Sequence, residues 1–394
     1  MTSVVDTSVK HFHSAMVGAP ILNGQAGSMI ALLNACLKDG FDIKVATSLT
    51  VDSGVATLAF TGSHSATVES VVLVAGSSVA DLNGEQKITA IGGGFVKFAT
   101  AAADGAATGS ISFKMAPAGW EKTFSGANLA VYRNLDVLGT RMYVRVDDTG
   151  TTICRLRGYE QMTDVSTGAG MFPLDSQING GGYLNKSNAA NSTPVKWKII
   201  ADSRGMYVNI VGASSGNPLI EAGRTTYIGD FIASRPGGDP YAFVIGCGIT
   251  GANTEAPGTC DQNAGFSQYA PRAYHGLGSS VAHASLPETG TGTIVSGADP
   301  FFGAFPSKID GSMRLSRRFL AEGTTSESRG VLPGLYTIPQ SGVGTVIAPG
   351  TIQPGTGVLG GRKLLALGCG ASSATYPSGS LGISMVDITG PWAR

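Results

Sequence analysis

Residues 41–115 read FDIKVATSLTVDSGVATLAFTGSHSATVESVVLVAGSSVADLNGEQKITAIGGGFVKFATAAADGAATGSISFKM, and this stretch decides the fold class. Short runs rich in β-branched residues follow one another: IKVATSLTV, GVATLAF, TVESVVLVAG, KITAIG, FVKFAT and SISFKM. Turn formers separate them at Asp52-Ser53-Gly54, Asn83-Gly84, Gly92-Gly93-Gly94 and Asp104-Gly105. Six strands joined by hairpin signals predict a small β-barrel or sandwich. No helix-length periodic segment interrupts them, so this is not a βαβ unit.

Upstream lies one clear helix. Ser28 is the expected N-cap; Met29, Ile30, Leu32, Leu33, Cys36 and Leu37 then recur at steps of three and four, with Gly40 as the C′ residue. A helix of about 12 residues is marginal alone, so its apolar face packs either on its own domain or on a neighbouring subunit. Downstream, Ala116-Pro117-Ala118-Gly119 reads as a joint, after which Trp120 and Phe124 open a second β region. NLAVYRN, TRMYVRVDD, TICRLRGYE, VKWKIIAD, MYVNIVG, TTYIGDFIA and AFVIGCG read as its strands. Asp147-Asp148-Thr149-Gly150 and Asp202-Ser203-Arg204-Gly205 read as hairpin turns. Residues 168–192 and 249–296 are loop-like, the second ordered by neighbouring subunits. VLPGLYTIP, GTVIAPG, KLLALGCG and LGISMVDITG return to strand text. The expected fold is mostly β. An arm and helix (1–40) precede a small β-barrel or sandwich module (41–116). A larger β-sandwich-like domain with long loops follows (117–296), and a C-terminal β segment (297–394) packs on it.

Composition narrows the function. Lys plus Arg is 27 and Asp plus Glu is 27, so the net charge is zero and only 14% of residues are charged, against about 25% in ordinary domains. Specific nucleic-acid binding needs basic patches and is not expected. A charge-poor, neutral surface suits a subunit that buries much of it in an assembly. Glycine is 57 of 394, about twice the usual share of about 7%, and shows no triplet period, which excludes collagen. The opening MTSVVDTSVKHFH has no apolar h-region, and no apolar run reaches the ~18 residues of a membrane span.

Each chemical motif has a plainer reading. His11 and His13 have metal spacing on a strand but no second pair of ligands beside them. His64, His275 and His283 are isolated. Gly92–Gly94 and Gly180–Gly182 lack the Lys-Ser/Thr of a phosphate loop and read as turns. Asp147, Asp148, Glu160, Asp164 and Asp175 raise a paired-carboxylate glycosidase, against which stands an aromatic content of only 7%. Arg314, Arg317 and Arg318 form the densest basic cluster, read as an inter-subunit salt-bridge or solvated face. Cys36, Cys154, Cys247, Cys260 and Cys369 contain no CxxC pair. Buried free thiols are expected, with a Cys247–Cys260 disulfide as the alternative. No catalytic residue, metal ligand or cofactor is assigned, and no enzyme activity is expected.

Several segments together resemble a known family. VKHFHSAMVGAPILNGQAGSMIALLNACLKDGF leading into the β module, GWEKTFSGANLAVYRN, WKIIADSRGMYVNI with YIGDFIASRPGGDPYAF, and the closing LPGLY, GRKLLALGCG and VDITGPW are similar to structural proteins of tailed-bacteriophage and prophage virions. One departure is Ser63-His64-Ser65-Ala66, where the module's pattern has a His-Gly-Phe turn. The resemblance implies a virion protein of the tail or baseplate, assembled in the host cytoplasm. Its partners would be copies of itself, other virion proteins and, in one version, a host surface receptor. The N-terminal region would anchor it and the C-terminal region would be exposed. The alternatives are a capsid decoration protein and a receptor-binding or glycan-degrading appendage.

Overall fold

A computed structural model describes residues 3–211, 223–251, 258–260, 266–288, 302–323, 327–369, 376–379 and 381–393. The chain is mostly β, with one short helix and a closed six-stranded barrel beside large antiparallel sheets. The barrel follows an N-terminal strand β1 (Lys10–His13) and helix α1 (Ser28–Leu33). It is built from β2 (Phe41–Asp52), β3 (Val55–Phe60), β4 (Val71–Ala75), β5 (Gly84–Gly92), β6 (Phe95–Ala99) and β8 (Ser112–Met115); β7 (Gly105–Ala107) adds a short pairing on β2. The ring closes in the order β2-β3-β6-β5-β4-β8 and back to β2. All six strands read from the sequence are present. Their alternation explains why: β3 sends Ala56, Leu58 and Phe60 inward and leaves Val55 exposed. The β2–β3 turn places Ser53 at φ 52 and Gly54 at φ 76, the paired positive angles that a two-residue hairpin needs.

The helix is present, with corrected ends. Gly27, not Ser28, is the N-cap, in a left-handed conformation at φ 83; the Ser28 hydroxyl instead donates to the Asn23 carbonyl. After Leu33 the coil widens to a π-helical turn, Asn34–Asp39, and ends at Gly40 with φ 71. Met29, Leu32, Leu33, Cys36 and Leu37 are buried in the core shared by barrel and large sheet, so this face packs within its own chain. The joint residues Ala118 and Gly119 donate to the carbonyls of Cys36 and Leu37.

Among the described residues, 18 further strands form an antiparallel network, and Gln161–Met162 pairs separately with Gly168–Ala169. One run pairs Trp120–Gly126, Leu129–Asn134, Tyr143–Asp147, Ile153–Tyr159 and Gly182–Asn185 in succession. A second begins at β1 and passes through Lys196–Ala201, Gly205–Val211, Arg224–Asp230, Phe243–Gly248, Phe266–Ala270, Val281–Pro287, Ser316–Glu322 and Ser328–Thr337. It ends with Gly382–Asp387, Lys363–Cys369 and Ile352–Pro354. The central strands are covered on both faces. Val208 and Ile210 join the core shared with the barrel, whereas Tyr207 packs in a second core with Tyr227 and Trp392. That is why GMYVNIV is apolar almost throughout.

Two expectations fail here. Residues 249–296 are not simply loop: Phe266–Ala270 and Val281–Pro287 are strands. In VAHASLP the buried positions are His283, Ser285 and Pro287, so the inward face is polar and shows no hydrophobic alternation. Residues 252–257, 261–265 and 289–296 of that stretch lie outside the described residues. GTVIAPG is not a strand either. Val343–Thr345 is a 3₁₀ turn that sends Val343 and Ile347 into a C-terminal core with Leu364 and Met385. Lys87 joins barrel to sheet by donating to the Ile388 and Thr389 carbonyls, both at 2.9 Å. Among the described residues, no helix is long and apolar enough to cross a membrane.

Candidate functional site

The carboxylates singled out by sequence do not converge. Asp147 pairs with Arg145 at 3.4 Å, Glu160 with Arg272 at 2.5 Å, and Asp175 with Arg157. Asp164 caps its own turn, accepting from Ser166 and Thr167 N–H groups, which draw its pKa down. Residues 148–152 do connect the antiparallel strands Tyr143–Asp147 and Ile153–Tyr159, as the turn reading expects, but the Asp148 side chain points away from turn chemistry. It is fully buried, and its Oδ2 accepts from the N–H groups of Met29 and Ile30 at 2.8 and 3.2 Å. Its Oδ1 receives the Lys186 ammonium and the Cys154 thiol. Lys186, equally buried, also donates to the Gln25 carbonyl at 2.7 Å. One carboxylate therefore caps the helix and neutralises the lysine, a structural role.

The histidines are likewise built into the framework. His11 and His13 lie on β1 against Lys196–Ala201. Burial lowers the pKa of His11 to about 3, with His13 and Lys87 adding repulsion; burial and then Lys198 lower His13 to about 4. Neighbouring ammonium groups disfavour a metal cation at this pair. His64 bonds the Gly92 carbonyl at 3.1 Å and stands edge-on to Phe60. Beside it, in the segment that departs from the His-Gly-Phe pattern, the Ser65 hydroxyl reaches the Val17 carbonyl and the Asp42 carboxylate. That turn ties the N-terminal arm to the barrel. Gly92–Gly94 is the β5–β6 hairpin, and Gly180 and Gly181 turn the chain at φ 77 and 95 into Gly182–Asn185.

The basic cluster disperses. Arg314 pairs with Asp310 at 2.7 Å and Arg317 with Glu288 at 3.5 Å, both at the surface. Arg318, next along the strand, turns to the other face and is fully buried, donating to the Ser285 carbonyl and hydroxyl. The expected inter-subunit face is thus not one patch. All five cysteines are free and buried. The thiol beside Cys260 is Cys369, not Cys247, which packs against Gly182 in a different part of the sheet. The hydrogen bond with Cys260 and burial push Cys369 well up, while that bond draws Cys260 down to about 7. Among the described residues, no group of three or more His, Cys, Asp or Glu side chains is placed to hold a metal ion.

Clefts open at several places among the described residues, one of about 240 Å³ around the Glu160–Arg272 pair, and another that no local sequence pattern marks. A cleft of about 250 Å³ is lined by Ser234, Arg235, Asp239, Tyr274, Ser328 and Arg329. It is assembled from three segments. Ser234 N–H donates to the Arg329 carbonyl at 2.9 Å and Ala233 pairs with Gly330, which fixes the Arg235 turn beside the strand that carries Arg329. Arg329 forms the inner wall with only 6% of its side chain exposed. Its Nε donates to Asp239 at 2.9 Å and its Nη2 to the Tyr241 carbonyl at 3.3 Å. Its Nη1 is buried with no hydrogen-bond partner. Arg235 is exposed at the rim and lies over the half-exposed Tyr274 ring, 5.4 Å from its centroid. His283 is nearby; burial, then Arg329, lower its pKa to about 4 and keep it neutral near pH 7. Two guanidiniums thus face one carboxylate. Comparison with protein-family models, curated proteins and solved structures yields no match.

Proposed function

We propose that this chain is a structural component of a tailed-phage virion, associated with the tail or baseplate, and acts by assembling with copies of itself and other virion proteins. The observation that carries the reading is an apolar loop held rigidly at the surface. Between Leu129–Asn134 and Tyr143–Asp147, Val137 and Leu138 are each 80% exposed and Leu135 51%. The loop base is hydrogen-bonded to the strands beneath it. Asp136 accepts from Arg204 at 2.7 Å and from Ser203 at 3.1 Å, and Thr140 bonds the Asp230 carboxylate through both its N–H and its hydroxyl. A pre-ordered apolar tip loses little entropy on docking, which is what a contact in an assembly requires. Ile43 and Val45 on the barrel strand β2, 70% and 74% exposed, offer a second such surface. The virion setting itself comes from the sequence resemblance.

Immunogold labelling of particles that carry this chain tests the location: label at the tail is expected, and label over the head would sink the tail assignment. A copy number matching the major capsid protein would point to capsid decoration instead. The double variant Val137→Ser/Leu138→Ser tests the contact. It should leave the melting temperature of the free chain unchanged, because it removes no buried group, while incorporation into particles falls. Unchanged incorporation would remove the loop from the interface.

A further inference from the structure

The geometry points to an acid-released N-terminal arm: protonation of His11 and His13 opens strand β1 from Lys196–Ala201 while the rest of the sheet stays folded. The inference does not depend on the virion role. β1 is four residues long and, among the described residues, pairs with one strand, from Lys10 opposite Ala201 to His13 opposite Lys198. Besides that ladder it is held by the buried side chains of Phe12 and, just before it, Val9, and by the Lys10–Glu85 ion pair at 2.9 Å. Lys196–Ala201 keeps its ladder with Gly205–Val211 when the arm leaves, so the sheet survives the loss. His283, also deeply buried, sits on Val281–Pro287, which pairs with a strand on either side. A short strand paired on one side opens at lower cost than one paired on both.

The site of β1 accepts neutral imidazoles and opposes charged ones. His11 is buried, and the Nδ1 atoms of both rings are buried with no hydrogen-bond partner. An imidazolium donates from both nitrogens, so each protonated ring would carry an N–H without an acceptor. The charges acting on the rings are cations: Lys198, opposite His13 on the paired strand, and Lys87 on β5, which acts on His11. Burial lowers Lys198 only to about 8, so it is charged at neutral pH and below. Lys10, on the same strand, is engaged by Glu85, and the carboxylates of Glu69, Asp6 and Asp387 act on Lys87. Opening the strand removes the burial, the missing acceptor and the repulsion together. The folded pKa values are about 3 and about 4 against 6.5 in an open arm, so the open state takes up protons as pH falls below 6.5. Each ring then multiplies the open population by about 20 between about pH 7 and about pH 5, and the two together by about 500. Opening uncovers Val9, Phe12 and the bare edge of Lys196–Ala201, which another chain can pair with.

The test is native-state hydrogen exchange of the full chain, read by mass spectrometry at about pH 7 and about pH 5 and corrected for the intrinsic pH dependence of amide exchange. Peptides over residues 8–14 report the arm, and peptides over 205–211 report the centre of the sheet. The arm amides should be less protected than the centre at both pH values and should lose a further factor of about 500 in protection on acidification. His11→Gln and His13→Gln remove one titrating ring each and should cut that factor to about 20, with an unchanged circular dichroism spectrum as the check on folding. His13 is the less buried of the two rings, so its variant carries the test if His11→Gln fails to fold. Arm amides that exchange in step with the sheet centre would overturn the separate opening. A loss below about 20-fold in the parent chain, or one that the glutamine variants leave undiminished, would overturn the role of the two histidines.

Discussion

Replacing Asp148 by asparagine removes the negative charge that neutralises the buried Lys186 ammonium. Both side chains are 0% exposed. The asparagine keeps the size of the side chain and one oxygen that can still accept from Met29 or Ile30 N–H, so the helix cap is largely preserved. What is lost is the ion pair. Breaking a buried pair from one side costs about 3–5 kcal/mol, because the partner is left charged and desolvated. Asp148→Ala should cost about 1 kcal/mol more through the lost cap. Lys186→Met removes the stranded cation, so Asp148→Asn/Lys186→Met should recover about 2–3 kcal/mol relative to the single asparagine variant. Trp120, Trp197 and Trp392 are all buried and report unfolding in urea by fluorescence. An asparagine variant within about 1 kcal/mol of the parent chain would refute the reasoning. So would a double variant no more stable than the single one.

Acid should destabilise the chain well before its carboxylates titrate. The folded pKa values of His11, His13 and His283 are lowered to about 3, 4 and 4 from 6.5, mainly by burial. The unfolded chain therefore binds more protons between those values and 6.5; stability is full above pH 6.5, falls as pH drops below it, and levels off near pH 3–4. At about pH 5 each histidine accounts for about 2 kcal/mol, so the urea midpoint should fall between about pH 7 and about pH 5. His11→Gln should flatten that slope; a midpoint constant over this range would contradict the burial of the three rings. The five buried thiols should be unreactive to an aromatic disulfide reagent in the folded chain and react as five equivalents in denaturant. Fewer than five equivalents without reductant would mean that a disulfide exists after all.

Where the sequence is legible, the reason is one-sided burial. The strands β3, β6 and β8 turn one face to a core and the other outward, so a period of two is written in their residues, and the turns at Ser53-Gly54 and Gly92–Gly94 mark strand ends. The central strands of the large sheet are legible for the opposite reason, continuous burial on both faces. Their order is not, because pairings such as β1 with Lys196–Ala201 join segments far apart in the chain. The misreadings share a different cause. Val281–Pro287 looks like loop because its inward positions hold His283 and Ser285, and Asp148 looks like turn chemistry because its partners lie 119 residues before it and 38 after it. Arg329 belongs with them: a charged residue whose side chain is almost wholly buried in its pair with Asp239. Buried polar groups are where local pattern and tertiary placement disagree, and such disagreements persist only where some interaction offsets their cost. For Asp148 the compensation is visible within the chain, in two helix N–H groups, a lysine and a thiol. For Arg329 it lies in the Asp239 carboxylate, the Tyr241 carbonyl and the Phe231 ring, 5.6 Å from the guanidinium. Both buried charges are thus answered by partners in their own chain that no local pattern announces, which is why neither is legible in the sequence around it.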